Sequence, residues 1–177
     1  ARATMEMVEA LGRPWDVLHA HDWQAALVPI YLKTLYAGRP AFRGTRSVLT
    51  VHNLAFQGVF WHWDMKLTGL DWGLFTWRHL EFYSKLNFLK GGLVLADAVT
   101  TVSPRYAREI QTAELGCGLE GVLRDRAGDL HGILNGIDPH QWDPASDPLI
   151  PAHYTARDLS GKAACKRAVQ RTFGLPE

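Results

Sequence analysis

Residues 15–24 read Trp-Asp-Val-Leu-His-Ala-His-Asp-Trp-Gln, and the fold is decided there. Val17-Leu18 start a short uncharged run with the pattern of a buried strand. The run stops at His21-Asp22, and a helical pattern begins at once with Trp23-Gln24-Ala25-Ala26-Leu27. Asp22 therefore falls where a strand's carboxyl end meets a helix N-terminus. A carboxylate at that position can cap the first N–H groups of the helix. Ligands of open α/β sheets bind in the crevice at the same edge. Capping and chemistry are both open readings of this side chain.

Outward from that junction, strand-like and helix-like segments alternate. A helix is expected over Ala1–Leu11, closed by Gly12 and Pro14, then a strand over Asp16–Ala20 and a helix over Trp23–Ala37. Pro29 lies beyond the first turn of that helix, so a kink or a late start is expected there. A second strand reads as Ser47–His52. A long aromatic loop, Asn53–Trp72, leads to a helical stretch from about Phe75 to Leu95, in which Gly91-Gly92 suggest close packing. A third strand follows at Ala98–Val102. Ser103-Pro104 supply an N-cap with proline at the first helical position, opening a helix through Ile110. A short helix over Leu119–Arg126 precedes a fourth strand, Leu130–Leu134, which runs into Asn135-Gly136. Beyond Asp138 the composition becomes loop-like, with Pro139, Pro144, Pro148 and Pro151. A last helix is expected over Gly161–Phe173, capped by Ser160 and stopped by Gly174 and Pro176.

This alternation argues for an α/β fold with a parallel sheet covered on both faces. Right-handed crossovers bring the carboxyl ends of parallel strands to one edge. His21-Asp22, His52-Asn53, Ser103 and Asn135-Gly136 converge on that edge.

A chain of 177 residues is the size of one ordinary domain, and 47% apolar content marks it as globular. The formal charge is +1, from 19 basic and 18 acidic residues, with no basic block. Neither nucleic acid nor an anionic membrane gains electrostatic support from that balance. No apolar run approaches the roughly 20 residues of a membrane span, and Ala1–Ala10 is too acidic for a signal peptide. Cys117 and Cys165 are too few for a disulfide framework or a zinc site, and a reducing cytoplasm fits them. The opening without Met reads as the interior of something longer.

His19-Ala20-His21-Asp22-Trp23-Gln24, Thr50-Val51-His52-Asn53-Leu54-Ala55-Phe56-Gln57-Gly58 and Leu134-Asn135-Gly136-Ile137-Asp138 resemble the bacterial glycogen synthase and plant starch synthase family. Phe88-Leu89-Lys90-Gly91-Gly92, Ala96-Asp97-Ala98-Val99-Thr100-Thr101-Val102-Ser103-Pro104 and Gly116-Cys117-Gly118-Leu119-Glu120-Gly121 match it too, in family order. The resemblance covers the chain from about Asp16 onward. It implies part of a Rossmann-like parallel-sheet domain, the N-terminal domain of a two-domain GT-B glycosyltransferase. Residues 1–138 would be the later part of that acceptor-side domain, and 139–177 a linker and first helix towards a second, nucleotide-binding domain. The implied reaction moves glucose from ADP-glucose to the non-reducing end of an α-1,4-glucan with retention of configuration, in a bacterial cytoplasm or a plant plastid. The family's Lys-Thr-Gly-Gly-Leu loop and its second domain, with an Arg/Lys pair for the leaving diphosphate, do not occur in these 177 residues. The chain therefore reads as an enzyme fragment, inactive alone and prone to self-association.

By the same resemblance, Asp22 and His52 are the catalytic candidates. Asp22 would stand beside the reacting sugar and His52 would hold it through a hydroxyl. Trp23 looks like a wall of the site, with Asn53 and Asn135 as further sugar-side contacts. No metal or other cofactor is implied. Phe56, Phe60, Trp61, Trp63, Trp72, Phe75 and Trp77 crowd one region, where glucan stacking competes with ordinary core packing. Glu81 and Tyr83 carry the same ambiguity. Two other functions fit less of the sequence: a different GT-B transferase, such as a sucrose-phosphate or trehalose-phosphate type, and a non-catalytic glucan-binding module.

Overall fold

The computed structural model describes residues 1–176. They form two compact units, one of residues 1–135 and one of the described residues from Gly136 onward. In the first, α1 (Arg2–Ala10) precedes β1 (Val17–His21), α2 (Asp22–Ala25), α3 (Leu27–Lys33) and β2 (Arg46–Val51). Then come β3 (Val59–Trp61), α4 (Met65–Thr68), β4 (Glu81–Phe82), β5 (Lys85–Asn87), α5 (Phe88–Leu95) and β6 (Ala98–Thr101). The unit ends with α6 (Pro104–Glu109), α7 (Glu120–Asp125) and β7 (Leu130–Gly132).

The main sheet has the order β1-β2-β6-β7, and every pairing in it is parallel. Each step goes in the same direction, so right-handed crossovers put the connecting helices on one face. Burial follows that geometry. Leu18, Ala20, Leu49, Val51, Val99 and Leu130 turn towards the helices and are buried. The expected cover on the opposite face is a correction, because crossovers in one direction send their helices to one side only. That opposite face carries a polar ladder, with His19 Nε2 2.6 Å from Thr50 Oγ1 and Thr50 Oγ1 2.6 Å from Thr100 Oγ1.

The helix broken at Pro29 appears as expected: α2 ends at Ala25 and α3 restarts at Leu27, placing Pro29 in a first turn. Ser103 caps α6, its Oγ accepting from Tyr106 N at 2.9 Å. The expected helix from Phe75 is a correction. Its first half is turns and an antiparallel hairpin, β4–β5, and the helix starts only at Phe88, where Asn87 Oδ1 accepts from Lys90 N. The hairpin turn, Tyr83-Ser84, has φ of 49° and 62°, the type I′ geometry usually marked by Asn or Gly. Without those residues the turn was invisible in the sequence. The aromatic loop likewise contains structure, since β3 pairs with β5.

Gly91 and Gly92 do serve close packing. A Cβ on Gly91 would lie 2.5 Å from Leu80 Cδ2, and one on Gly92 would lie 2.9 Å from the Ala26 carbonyl oxygen and from Leu49 Cδ2.

At the amino end of the sheet, Asp97 ties β6 to β2 and α3. Its carboxylate accepts from Lys33 Nζ (2.6 Å), Arg46 Nη1 (3.1 Å), Ser47 N (2.8 Å) and Ser47 Oγ (3.0 Å). Burial alone would raise its pKa, but the hydrogen bonds from Lys33, Ser47 and Arg46 outweigh that and hold it far below the usual carboxylate range. Asp97→Ala is expected to cost about 2–3 kcal/mol at pH 7, the worth of bonds to a charged group. Because the unfolded chain takes up the proton first, this stabilisation is complete above roughly pH 4 and shrinks as pH falls below it. Urea titrations of wild type and variant should therefore show a smaller gap at pH 3 than at pH 7, narrowed but not closed, since folded Asp97 is still ionised at pH 3.

In the second unit, a turn-rich segment precedes α8 (Ser160–Thr172). Ser160 opens this helix but does not cap it by its side chain, a second correction. Asp158 Oδ1 instead accepts from Ser160 N at 3.0 Å. Gly174, with φ of 62°, follows its end.

Candidate active site

β1 and β2 run side by side with His21 opposite Thr50, so their carboxyl ends stop together. At the end of β1 the backbone turns sharply: His21 is extended, and Asp22 sits at φ 54°. A non-glycine residue there is uncommon, though Asp is among those that tolerate it best. Asp22 does not cap α2. Its Oδ1 instead accepts from the backbone N–H of His52 at 2.8 Å, bridging the two strand ends. The second oxygen has no protein donor among the described residues. Strained backbone of this kind collects at functional sites because surrounding structure must hold it in place.

His52 also meets His21, whose Nδ1 lies 3.0 Å from His52 Nε2. One of these nitrogens must donate and the other accept, so the pair shares a proton along that line. His21 in turn stacks on His19, with ring centroids 4.3 Å apart. Burial first, and then the electrostatic influence of the neighbouring His21 and His52, pushes the His19 pKa down. Among the described residues, no group of three His, Cys, Asp or Glu side chains is placed to hold a metal ion.

Trp23 forms one side of a cavity of about 390 Å³ together with Phe56, Gln57 and Phe60. Its indole lies over Gly58, where a Cβ would come within 2.4 Å of the ring, and 5.7 Å from Phe60. Gln57 anchors this loop from below. Its Nε2 donates to Cys117 O (3.0 Å) and its Oε1 accepts from Asn87 Nδ2 (2.6 Å). A larger cavity of about 680 Å³ lies between the β4–β5 hairpin and α7, lined by Trp77, Tyr83 and Asp125 among others. No residue of β1, β2 or the turns directly after them lines it, whereas Trp23 of the smaller cavity follows Asp22 in the chain, so the chemistry directs attention to the smaller one.

The remaining edge residues are placed less tightly. Asn53 is exposed, and its Oδ1 accepts from Ala55 N at 3.0 Å, so it shapes the loop. Ser103 is occupied by capping α6. Asn135 is exposed three residues past β7. Three strand spacings separate β1 from β7, roughly 14 Å, so Asn135 does not touch Asp22 directly. Sequence reading missed the partnership of His21 with His52 and the buried bridge at Gln57. The alternation His19-Ala20-His21 on a strand was the available signal, since it puts both rings on one face.

Residues 1–125 match the family described as starch synthase catalytic domain. The chain belongs to that family. Curated relatives of the starch synthase catalytic domain include glycogen synthases from Anaeromyxobacter sp. (strain Fw109-5), 55% identical over all 177 residues, and Koribacter versatilis, 54% identical over the same length. The chain covers 37% and 36% of those two proteins, a little over a third of their length. A solved structure, the catalytic domain of Starch Synthase IV from Arabidopsis thaliana bound to ADP and acarbose, superposes with a TM-score of 0.75 at 37% identity. That match covers 99% of this chain and 36% of the other. The parallel sheet with its helices is thus the α/β architecture of a GT-B glycosyltransferase domain of this starch synthase family. No helix among the described residues is long and apolar enough to cross a membrane.

Proposed function

We propose that this chain is the acceptor-side part of a glycogen or starch synthase, which transfers glucose from ADP-glucose to the non-reducing end of an α-1,4-glucan with retention. The observation that carries this reading is the Asp22 carboxylate, held on left-handed backbone by the His52 N–H at the carboxyl edge of the sheet. Breaking the bond from glucose to diphosphate builds positive charge at the anomeric carbon. A carboxylate fixed beforehand next to that carbon stabilises the charge without reorganising, which is often the largest catalytic term. In this scheme His52 holds a sugar hydroxyl, Trp23 walls the site, and Asn53 and Asn135 contact sugar from the loops. Departure of the diphosphate is left to cations on a second domain, towards which residues 139–177 lead. The two free cysteines suit a bacterial cytoplasm.

The full-length protein, given ADP-glucose and a glucan primer, is expected to release ADP in step with glucan growth, while residues 1–177 alone release none above background. Absence of ADP release by the full-length protein, or steady turnover by the isolated chain, contradicts the reading. Taken alone, residues 1–177 present open sheet edges at β1 and β7, which favour pairing with other chains. Self-association is expected at micromolar concentration, and a monomer mass by light scattering would count against it.

A further inference from the structure

The aromatic segment between β2 and α5 divides into two sets. Phe60 and Phe75 pack against the core. Trp61, Trp63 and Trp72 do not, being 63%, 51% and 44% exposed. Their rings nevertheless form one connected cluster. Trp63 lies 6.4 Å from Trp61 and 5.5 Å from Trp72, both edge to face, and the His62 ring sits 5.6 Å and 5.5 Å from Trp61 and Trp63. The backbone beneath them is built. Trp61 pairs with Lys85 in the β3–β5 ladder, and the turn after it is anchored by fully buried Met65. Each indole carries a large apolar surface. Trp72 also rests on Phe75, 5.8 Å away, but Trp61 and Trp63 keep more than half of their surface in water on ordered backbone, which points to a ligand.

The geometry points to Trp61, Trp63 and Trp72 as a stacking platform for an internal stretch of an α-1,4-glucan whose non-reducing end lies at Asp22. This rests on the function proposed above. Pyranose rings offer C–H faces that lie on indoles, and their hydroxyls find partners in the interleaved His62 and half-buried Asp64. The three indole planes are inclined by 63° and 72° to their neighbours. A flat β-linked chain needs coplanar rings, whereas an α-1,4 chain turns from one residue to the next and presents successive faces at an angle. The platform is also continuous with the candidate site. β3 starts directly after Gly58, which backs onto Trp23, and Val59, on the same strand face as Trp61, lines the Trp23 cavity. Trp61 is three residues beyond Gly58, roughly 10 Å along an extended strand. A glucan leaving the Asp22 crevice past Trp23 meets the platform within a few sugar units.

The test uses the full-length protein and the double variants Trp61→Ala/Trp63→Ala and Trp61→Tyr/Trp63→Tyr. Retention in native gels containing glycogen is read without turnover, so it is independent of whether the catalytic reading holds. Kinetics with maltose and with glycogen as acceptors are read in parallel. The alanine pair is expected to weaken glycogen retention about tenfold or more, as loss of aromatic anchors does, and to raise KM for glycogen while leaving kcat and the maltose kinetics unchanged. The tyrosine pair, which keeps a stacking face, restores most of the retention. Glycogen retention equal in wild type and alanine pair, or none in wild type, overturns the inference. So does equal binding of a β-1,4-glucan. A drop in oligomer mass with glucan retention intact would overturn it in favour of a protein interface.

Discussion

Replacing Asp22 by asparagine in the full-length protein is expected to lower kcat by about 10²–10³, the loss seen when one preorganised group is removed, with little change in melting temperature. Asparagine still accepts a hydrogen bond from the His52 N–H, which Asp22 Oδ1 accepts at 2.8 Å. It also adopts left-handed backbone as readily as aspartate, so φ 54° remains accessible. Only the negative charge is removed. Asp22→Ala should lose at least as much rate and some stability besides, because alanine pays roughly 1–2 kcal/mol for that backbone and leaves the His52 N–H without its acceptor. The measurement is kcat, substrate KM and melting temperature for both variants. An asparagine variant retaining most of the wild-type kcat would assign Asp22 to holding the two strand ends together and remove it from the chemistry.

The second large effect concerns the packing beneath the site. Gly92→Val is expected to cost about 3 kcal/mol or more, at the upper end of core overpacking. A Cβ at this position meets the Ala26 carbonyl oxygen and Cβ, as well as Leu49 Cδ2, all at 2.9 Å. The carbonyl belongs to the backbone that joins α2 to α3, so it cannot swing aside as a side-chain end would. Relief requires α5 to move away from the helices that follow Asp22. Gly121→Ala in α7 is the control, since nothing lies within 4 Å of its Cβ position. There the helix should gain up to about 1 kcal/mol. Denaturation midpoints of the two variants are expected to move in opposite directions. A Gly92→Val midpoint equal to wild type would show that α5 has more room than its contacts imply.

Local chemistry was enough to read the alternation of strands and helices, the break at Pro29, the Ser103-Pro104 helix start and the close packing at Gly91-Gly92. Each depends on neighbours within a few residues: a missing N–H, a capping hydroxyl, the absence of a Cβ. The alternation carried the parallel topology, and motif order carried the family. The sequence could not say where the hairpin turned, because Tyr83-Ser84 adopts a glycine-like geometry that only the pairing of β4 with β5 enforces. Asp22 shows the same limit at the site. Its position at a strand end was legible, and so was its ability to cap a helix. That it accepts from His52, 30 residues away, depended on β1 and β2 ending side by side. The aromatic segment was undecided for the same reason. An indole's burial depends on what folds over it, and only the tertiary structure separates Phe60 and Phe75, which fill the core, from Trp61, Trp63 and Trp72, which face water.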